Sequence, residues 1–190
     1  PASRRIIVYT GHLYSWKGST SIAEASKNFG SETIFVFVGG VDLELRQFQK
    51  DYGGHPNIKI IPFQKHSLMP KYLAAADILT IPNSGRSKIS TSYTSPLKLF
   101  EYMASGRPIV ASDLPSLREI LDENSCLFAE ADNPESFAEQ IKKLIADKEL
   151  GERLAVKASE LVKNYTWRSR ADKILKFISR GFNFVLVKNW

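Results

Sequence analysis

Short apolar runs alternate with helical patterns along this chain, and no other feature constrains its fold as strongly. The first run, residues 4–10, is almost continuously apolar and β-branched, as expected of a strand buried on both faces of a parallel sheet. Similar runs predict further strands at 33–38, 57–61, 77–82, 109–111 and 126–129. Six rounds of strand and helix predict an α/β, Rossmann-like fold, in which helices cover both faces of an open parallel six-stranded sheet.

The connecting segments carry amphipathic patterns that predict the helices. The first pattern ends at Phe29. The later ones cover 42–52, 67–76, 95–106, 113–121, 134–146, 148–164 and 167–179. The break before the last helix predicts a buried Trp167. Asp77, just before the fourth strand, is more typical of a structural anchor than of a catalytic group.

Ligands of such sheets bind outside the carboxyl ends of the strands, where the strand order reverses. Gly11 and Lys17 follow the first strand, and the Ser/Thr-rich segment 83–94 follows the fourth. We therefore expect these loops and the helix after them to meet at one edge. The 83–94 segment is predicted to be a structureless loop that borders the site and is mobile without ligand. For Arg86 and Lys88, contact with a diphosphate and plain solvation both stay open.

The helix at 95–106 has the features of an anion site. Ser95 is a suitable N-cap and Pro96 suits the first helical position, so the amides near Leu97 and Lys98 lack intrahelical partners. The helix dipole and the Lys98 charge favour an anion such as a diphosphate there. Glu101, one turn further on, can accept hydrogen bonds from two neighbouring ribose hydroxyls. The alternative is a solvated helix with a Lys98–Glu101 surface pair.

The sequence of this helix resembles the sugar-nucleotide-binding segment of glycosyltransferase family 4. It reads Ser-Pro-Leu-Lys-Leu-Phe-Glu-Tyr-Met-Ala-Ser-Gly-Arg-Pro. Members of that family are retaining enzymes of the two-Rossmann-domain type called GT-B. Their helix carries two glutamates separated by seven residues, and the second binds the ribose. Glu101 matches the second glutamate, whereas Tyr93 stands in the place of the first, as in a subgroup that lacks the first acid.

The loop after the first strand is similar to the same family's first C-domain loop. It has neither the G-x-G-x-x-G fingerprint nor the Gly-Lys-Ser/Thr order of a P-loop. The resemblance implies an Arg-x-x-x-x-Lys clamp on the donor diphosphate, in which Lys17 matches the lysine and His12 takes the arginine position. A histidine is shorter and only partly charged at neutral pH, so a bidentate phosphate contact is lost. An exposed loop lysine and a turn-capping histidine are the alternatives.

The loop after the third strand packs against the nucleotide base in this family. The resemblance therefore makes Phe63, and the backbone around Pro62 and Gln64, candidates for base contact. Phe63 as an ordinary core residue is the alternative.

The resemblance implies a single GT-B half, the C-terminal donor-binding domain of a retaining glycosyltransferase. Its donor would be a UDP- or GDP-sugar. The transferred hexosyl group would go to an acceptor held by a missing N-terminal domain, so this fragment alone is expected to be inactive. Lys17 and Glu101 would be the catalytic residues. No metal and no further cofactor are expected, since the chain has no Asp-x-Asp. A catalytically inactive nucleotide-binding or interaction module is the alternative that Tyr93 and His12 favour.

The net charge of +6 suits an anionic partner. The basic residues are scattered without interleaved aromatics, so a nucleic acid is not expected. A single cysteine, Cys126, cannot form an internal disulfide, which permits a cytoplasmic location. We expect residues 1–180 to form the domain and 181–190 a tail. For this aromatic, apolar tail, packing on the missing domain, peripheral membrane contact and continuation of the fold all stay open.

Overall fold

The six apolar runs form one parallel sheet in the computed structural model, which describes residues 4–93 and 97–181. Its strands are β1 (Arg5–Thr10), β2 (Thr33–Val38), β3 (Ile58–Ile61), β4 (Ile78–Ile81), β5 (Ile109–Ser112) and β6 (Leu127–Ala129). Neighbouring strands pair in parallel in the order β3-β2-β1-β4-β5-β6. The predicted six-stranded Rossmann-like sheet is confirmed.

The helices are α1 (Ser19–Ala25), α2 (Asp42–Tyr52), α3 (Met69–Ala75), α4 (Leu97–Ala104), α5 (Pro115–Arg118), α6 (Pro134–Ala146), α7 (Lys148–Val162) and α8 (Trp167–Gly181). They cover both faces of the sheet. Alternate strand residues point to opposite faces, and each face forms its own core with the helices. Ile7 on β1 packs in one core with Ile22 and Phe137, whereas Val8 packs in a second core with Leu99. None of the described helices is long and apolar enough to cross a membrane.

The order of the strands reverses between β1 and β4. Strand β1 pairs with β2 along its whole length, from Arg5 to Thr10, and with β4 through the pairs Ile7–Ile78 and Val8–Leu79. At the carboxyl edge next to this reversal a cleft opens between the connections that leave β1, β2 and β3 and the helix α4. As predicted, Asp77 is an anchor, because its carboxylate accepts a hydrogen bond from the Ile6 amide at 2.8 Å.

The segment after β4 is more ordered than predicted. Residues Ile89–Tyr93 form a turn of π-helix in which Ser90 is buried. The Ser90 hydroxyl donates to the Trp16 carbonyl at 2.9 Å, and the Ser116 hydroxyl donates to the Ser90 carbonyl. The prediction of a structureless loop is therefore wrong for 89–93, because the buried Ser90 joins this segment to the turn at Trp16 and to helix α5.

Trp167 is not buried as predicted; it is 72% exposed at the start of α8. The helix break before it is confirmed, since α7 ends at Val162. Ile174 and Phe177 on α8 are exposed as well. The prediction of burial fails because α8 is exposed along nearly all of its described length, so its apolar side chains are left largely uncovered by the described residues.

Candidate functional site

A cleft of about 310 Å³ lies at the carboxyl edge of the sheet, where the strand order reverses. Six of the predicted site residues line it: Gly11, His12, Lys17, Phe63, Lys98 and Glu101. Gln64, whose backbone was a predicted candidate for base contact, also lines it, and six more lining residues were not predicted as site residues: Thr10, Val38, Gly39, Gly40, His66 and Met69. The paired glycines after β2 carry the same signal that pointed to Gly11, a glycine at the carboxyl end of a strand. The convergence of the loop after β1 with α4 at one edge is confirmed, whereas none of the described residues of 83–94 lines the cleft.

Two glycines allow the loops after β1 and β2 to approach closely. Gly11 has φ +128° and Gly39 has φ +134°, backbone conformations that other residues rarely adopt. A Cβ at Gly39 would overlap the carbonyl oxygen of Gly11. The floor of the cleft is therefore bare backbone, to which a ligand can approach.

Lys98 projects from α4 into this floor. Its Nζ donates to the Thr10 carbonyl oxygen at 3.0 Å and lies 4.0 Å from the centroid of the Tyr9 ring. Burial lowers the pKa of Lys98 well below its ordinary value, and the nearby charge of Lys17 lowers it further. The alternative of a solvated Lys98–Glu101 pair is wrong, because each of these side chains has a different partner.

Lys17 ends a short 3-10 turn, Ser15–Lys17, immediately before α1. Its Nζ lies 4.0 Å from the centroid of the Trp16 ring. Burial lowers the pKa of Lys17 as well. Within residues 4–93 and 97–181, neither Lys17 nor Lys98 forms an ion pair with a carboxylate. The cleft thus presents two lysines without a carboxylate partner among these residues, and their protonated forms attract an anion.

Glu101 is held by a histidine that sequence reasoning did not single out. The His66 Nε2 atom lies 2.7 Å from Glu101 Oε1, and both residues line the cleft. His66 precedes α3 and is itself exposed. No motif links two residues this far apart, so the pair becomes visible only when the elements are packed together.

His12 is also paired with a carboxylate. Its Nδ1 lies 2.8 Å from Glu44 Oε1, and its ring stacks on Tyr14 at a centroid distance of 5.0 Å. The same carboxylate accepts hydrogen bonds from the amides of Leu13 at 3.0 Å and Val41 at 3.1 Å. Glu44 therefore joins the loops after β1 and β2, and its negative charge weakens the attraction of His12 for an anion.

Phe63 is 65% exposed and lines the cleft, so the alternative of an ordinary core residue is wrong. Its backbone amide donates to the Gly40 carbonyl at 3.3 Å, which fixes the loop after β3 against the loop after β2. The exposed ring offers a flat apolar face for stacking against a planar group.

The side chain of Leu97 does not line the cleft. It is 60% exposed and lines a neighbouring cavity of about 660 Å³, which shares His66 and Glu101 with the cleft. Ser95 and Pro96, the predicted N-cap and first helical residue, lie outside the described residues.

Arg86 and Lys88, the two basic residues of the segment after β4, do not line the cleft. Arg86 Nε lies 3.8 Å from Asp132 Oδ2, which also accepts a hydrogen bond from the Gly85 amide at 2.9 Å. The start of this segment is therefore tied to the loop before α6.

Known proteins resemble this chain in sequence and in fold. Spore coat protein SA of Bacillus subtilis is 24% identical over 94% of this chain and 49% of its own length. A D-inositol 3-phosphate glycosyltransferase of Xylanimonas cellulosilytica is 23% identical over 92% of this chain and 42% of its own length. The chain thus spans about half the length of the curated relatives it matches.

Solved structures share the fold at low sequence identity. Anabaena HepE in complex with UDP superimposes with a TM-score of 0.80 and 18% identity, over 94% of this chain and 50% of that chain. The C-terminal domain of a glycosyl transferase group 1 family protein, LpcC from Francisella tularensis, has a TM-score of 0.68 and 22% identity, and 86% of each chain is covered. This architecture is half of a GT-B fold.

The sequence model of one family, described as Glycosyl transferases group 1, matches residues 4–147, which is most of the chain. That stretch contains all six strands and every residue that lines the cleft. The chain belongs to the group 1 glycosyl transferases.

Proposed function

We propose that this chain binds a nucleoside-diphosphate sugar, the UDP or GDP form, in the cleft at the strand-order reversal. The observation that carries the proposal is the pair of lysines without carboxylate partners among the described residues, Lys17 and Lys98, in a cleft that an aromatic ring and a carboxylate also line. The structures of Anabaena HepE with UDP and with UDP-glucose support this ligand class.

Each part of the cleft suits one part of such a donor. The lysines and the bare backbone at Gly11 would hold the diphosphate, to which a compact ammonium binds as a point charge. Glu101 would accept hydrogen bonds from the ribose hydroxyls, while His66 orients its carboxylate. Phe63 would contact the base. Glu44 leaves His12 a weak phosphate contact at most.

The reaction we propose is a retaining hexosyl transfer with electrostatic catalysis. As the bond between sugar and phosphate breaks, negative charge builds up on the leaving diphosphate. Lys17 and Lys98, already in place before the reaction, stabilise this charge without reorganisation. Lys17 is accordingly the catalytic cation, and Glu101 places the donor relative to it. In this proposal the lysines do the work that a metal ion does in other transferases.

In this proposal residues 1–180 are the donor-binding domain, 181–190 are a tail, and an N-terminal domain of the same enzyme holds the acceptor. The relatives' greater length supports the second domain. The 190-residue chain alone would then bind donor without transferring sugar. We further propose that the protein is cytoplasmic and that its tail makes peripheral contact with a membrane. No nucleic acid partner is proposed.

Calorimetric titration with UDP and with GDP tests the ligand assignment. Lys17→Ala and Glu101→Ala should each weaken the preferred nucleotide about 10- to 100-fold, because each removes a charge-assisted contact of about 1.5–3 kcal/mol. Lys27→Ala and Glu160→Ala serve as controls, since both side chains are exposed and lie outside the cleft. Unaltered affinity in both cleft variants would refute the assignment.

An inactive interaction module is the second candidate. It is favoured by Glu44, which partly neutralises His12, and by Tyr93 in the place of the family's first glutamate. A thermal-shift screen across nucleotides and nucleotide sugars separates the two candidates. Stabilisation by a nucleoside diphosphate favours donor binding, and a folded protein that responds to none of them favours the interaction module.

A further inference from the structure

We propose that the cleft takes up a proton together with the nucleoside diphosphate, and that Lys98 is the group that binds this proton. The inference rests on the proposed function, because it concerns how the same cleft accommodates its ligand. It follows from what surrounds the Lys98 amine.

The contacts of the Lys98 Nζ atom are neutral. It donates to the Thr10 carbonyl at 3.0 Å and lies over the Tyr9 ring at 4.0 Å from the centroid. The Tyr102 hydroxyl, on the same helix, is engaged with the Thr10 amide at 2.8 Å and with the Thr10 hydroxyl at 3.0 Å. A carbonyl and a ring stabilise an ammonium far less than a carboxylate does.

The acidic groups nearby already have other partners. Glu101 pairs with His66 at 2.7 Å, and Glu44 pairs with His12 at 2.8 Å. Among the described residues that line the cleft, the remaining charged group is Lys17, whose protonated form is a second cation. Without an anion, the protonated amine of Lys98 is therefore opposed by burial and by like charge.

These surroundings weaken proton binding at Lys98. Burial of its amine, with Lys17 as the second cause, holds the pKa well below the ordinary lysine value. A diphosphate beside both lysines supplies negative charge, which stabilises the protonated amine and raises the pKa of Lys98 again. Because the anion favours the proton, the proton must favour the anion by the same free energy.

The coupling fixes the sign of the pH dependence. Well below the ligand-free pKa of Lys98 the amine is already charged, and the ligand binds without taking up a proton. Between the ligand-free and the ligand-bound pKa, binding takes up as much as about one proton. Affinity for UDP therefore falls as the pH rises through this interval.

Calorimetry in buffers of different ionisation enthalpy measures the proton uptake directly, with UDP as the probe. A pH of about 8.5 is suitable because a terminal phosphate has lost its second proton well below it, at about pH 6. The slope of the observed enthalpy against the buffer's ionisation enthalpy gives the number of protons taken up. We expect a clearly positive fraction of a proton per UDP for the unaltered chain.

Two charge-conserving variants assign the proton. Lys98→Arg should bind UDP within about tenfold of the unaltered chain but without proton uptake, because arginine stays protonated at all these pH values. Lys17→Arg should keep the uptake. Uptake that persists in K98R or disappears in K17R would overturn the assignment to Lys98.

NMR of carbon-13-labelled lysine in the unaltered chain checks the inference independently of any variant's folding. One lysine should show an unusually low pKa, and this pKa should rise when UDP is added. UDP binding with neither uptake nor this shift would overturn the inference while leaving the proposed function intact. No UDP binding at all would instead overturn the proposed function.

Discussion

Gly18 follows Lys17 directly and fixes where the loop passes over the end of β4. Its φ of +69° lies in the left-handed region, and a Cβ there would overlap the carbonyl oxygen of Pro82. Pro82 directly follows β4 and its carbonyl belongs to the backbone, so no side-chain rotation can relieve the overlap. Gly18→Ala therefore combines backbone strain with a steric clash.

The two effects can be separated with matched glycines. Gly106 has φ +68° but nothing within 4 Å of a Cβ, and Gly54 has neither a positive φ nor a neighbour within 4 Å. A left-handed alanine costs about 1–2 kcal/mol, and reduced freedom of the unfolded chain offsets about 0.4–1 kcal/mol of it. Overpacking adds about 1–3 kcal/mol at Gly18 alone.

We expect Gly54→Ala to leave stability unchanged or slightly raised, Gly106→Ala to lower it by about 1 kcal/mol, and Gly18→Ala to lower it by about 2–4 kcal/mol. For a domain of this size about 2–4 °C of melting temperature corresponds to each kcal/mol. Gly18→Ala should therefore melt about 5–15 °C below the unaltered chain. Urea denaturation followed by far-UV circular dichroism gives the free energies of unfolding for all three variants.

A second measurement connects this clash with the cleft. Moving the loop away from Pro82 displaces Lys17, so UDP affinity should fall in Gly18→Ala but not in Gly106→Ala. If Gly18→Ala is no less stable than Gly106→Ala, the loop does not pass this close to Pro82, and the proposed position of Lys17 fails with it.

Three further predictions follow from single contacts. Tyr102→Phe should lower the free energy of unfolding by about 1–3 kcal/mol in urea, because the Thr10 amide loses its buried partner at 2.8 Å; unchanged stability would contradict that hydrogen bond. Burial raises the pKa of the Cys126 thiol, so iodoacetamide should label it only after unfolding, and rapid labelling of the folded protein would show that it is accessible. The Arg118 hydrogen bond lowers the pKa of Asp113 in the folded state, so its stabilisation should be present above about pH 4 and be lost at lower pH. Asp113→Asn should reduce this loss slightly, and urea midpoints across the acid range measure it.

The sequence predicts β4 and β5 well because both strands are buried on both faces. All four residues of β4 and all four of β5 are buried, and apart from Thr80 and Ser112 they are apolar, so short apolar runs mark both strands. The predicted ends differ from the observed ones by about one residue, as at Arg4, which lies just before β1. Gly106 is an equally clear signal, since its positive φ lies two residues after the end of α4 at Ala104.

The positions of the site residues were predictable, but their pairings were not. The carboxyl ends of parallel strands meet at one edge, which brings Lys17 to α4 whatever the side chains do. The turn of Lys98 toward Thr10, and the pairing of Glu101 with His66, depend on packing between segments distant in sequence. A periodic pattern contains no information about such contacts, and Trp167 was misjudged for the same reason.

The junction between β1 and β4 has a mechanical consequence. The strands are joined there through the pairs Ile7–Ile78 and Val8–Leu79, and the cleft lies beyond the carboxyl end of this short ladder. Lys17 comes from the connection that leaves β1, and Glu101 comes from α4, which follows β4 in the chain. A molecule bound between them resists their separation, so a force that pulls the two halves of the sheet apart must also break its contacts.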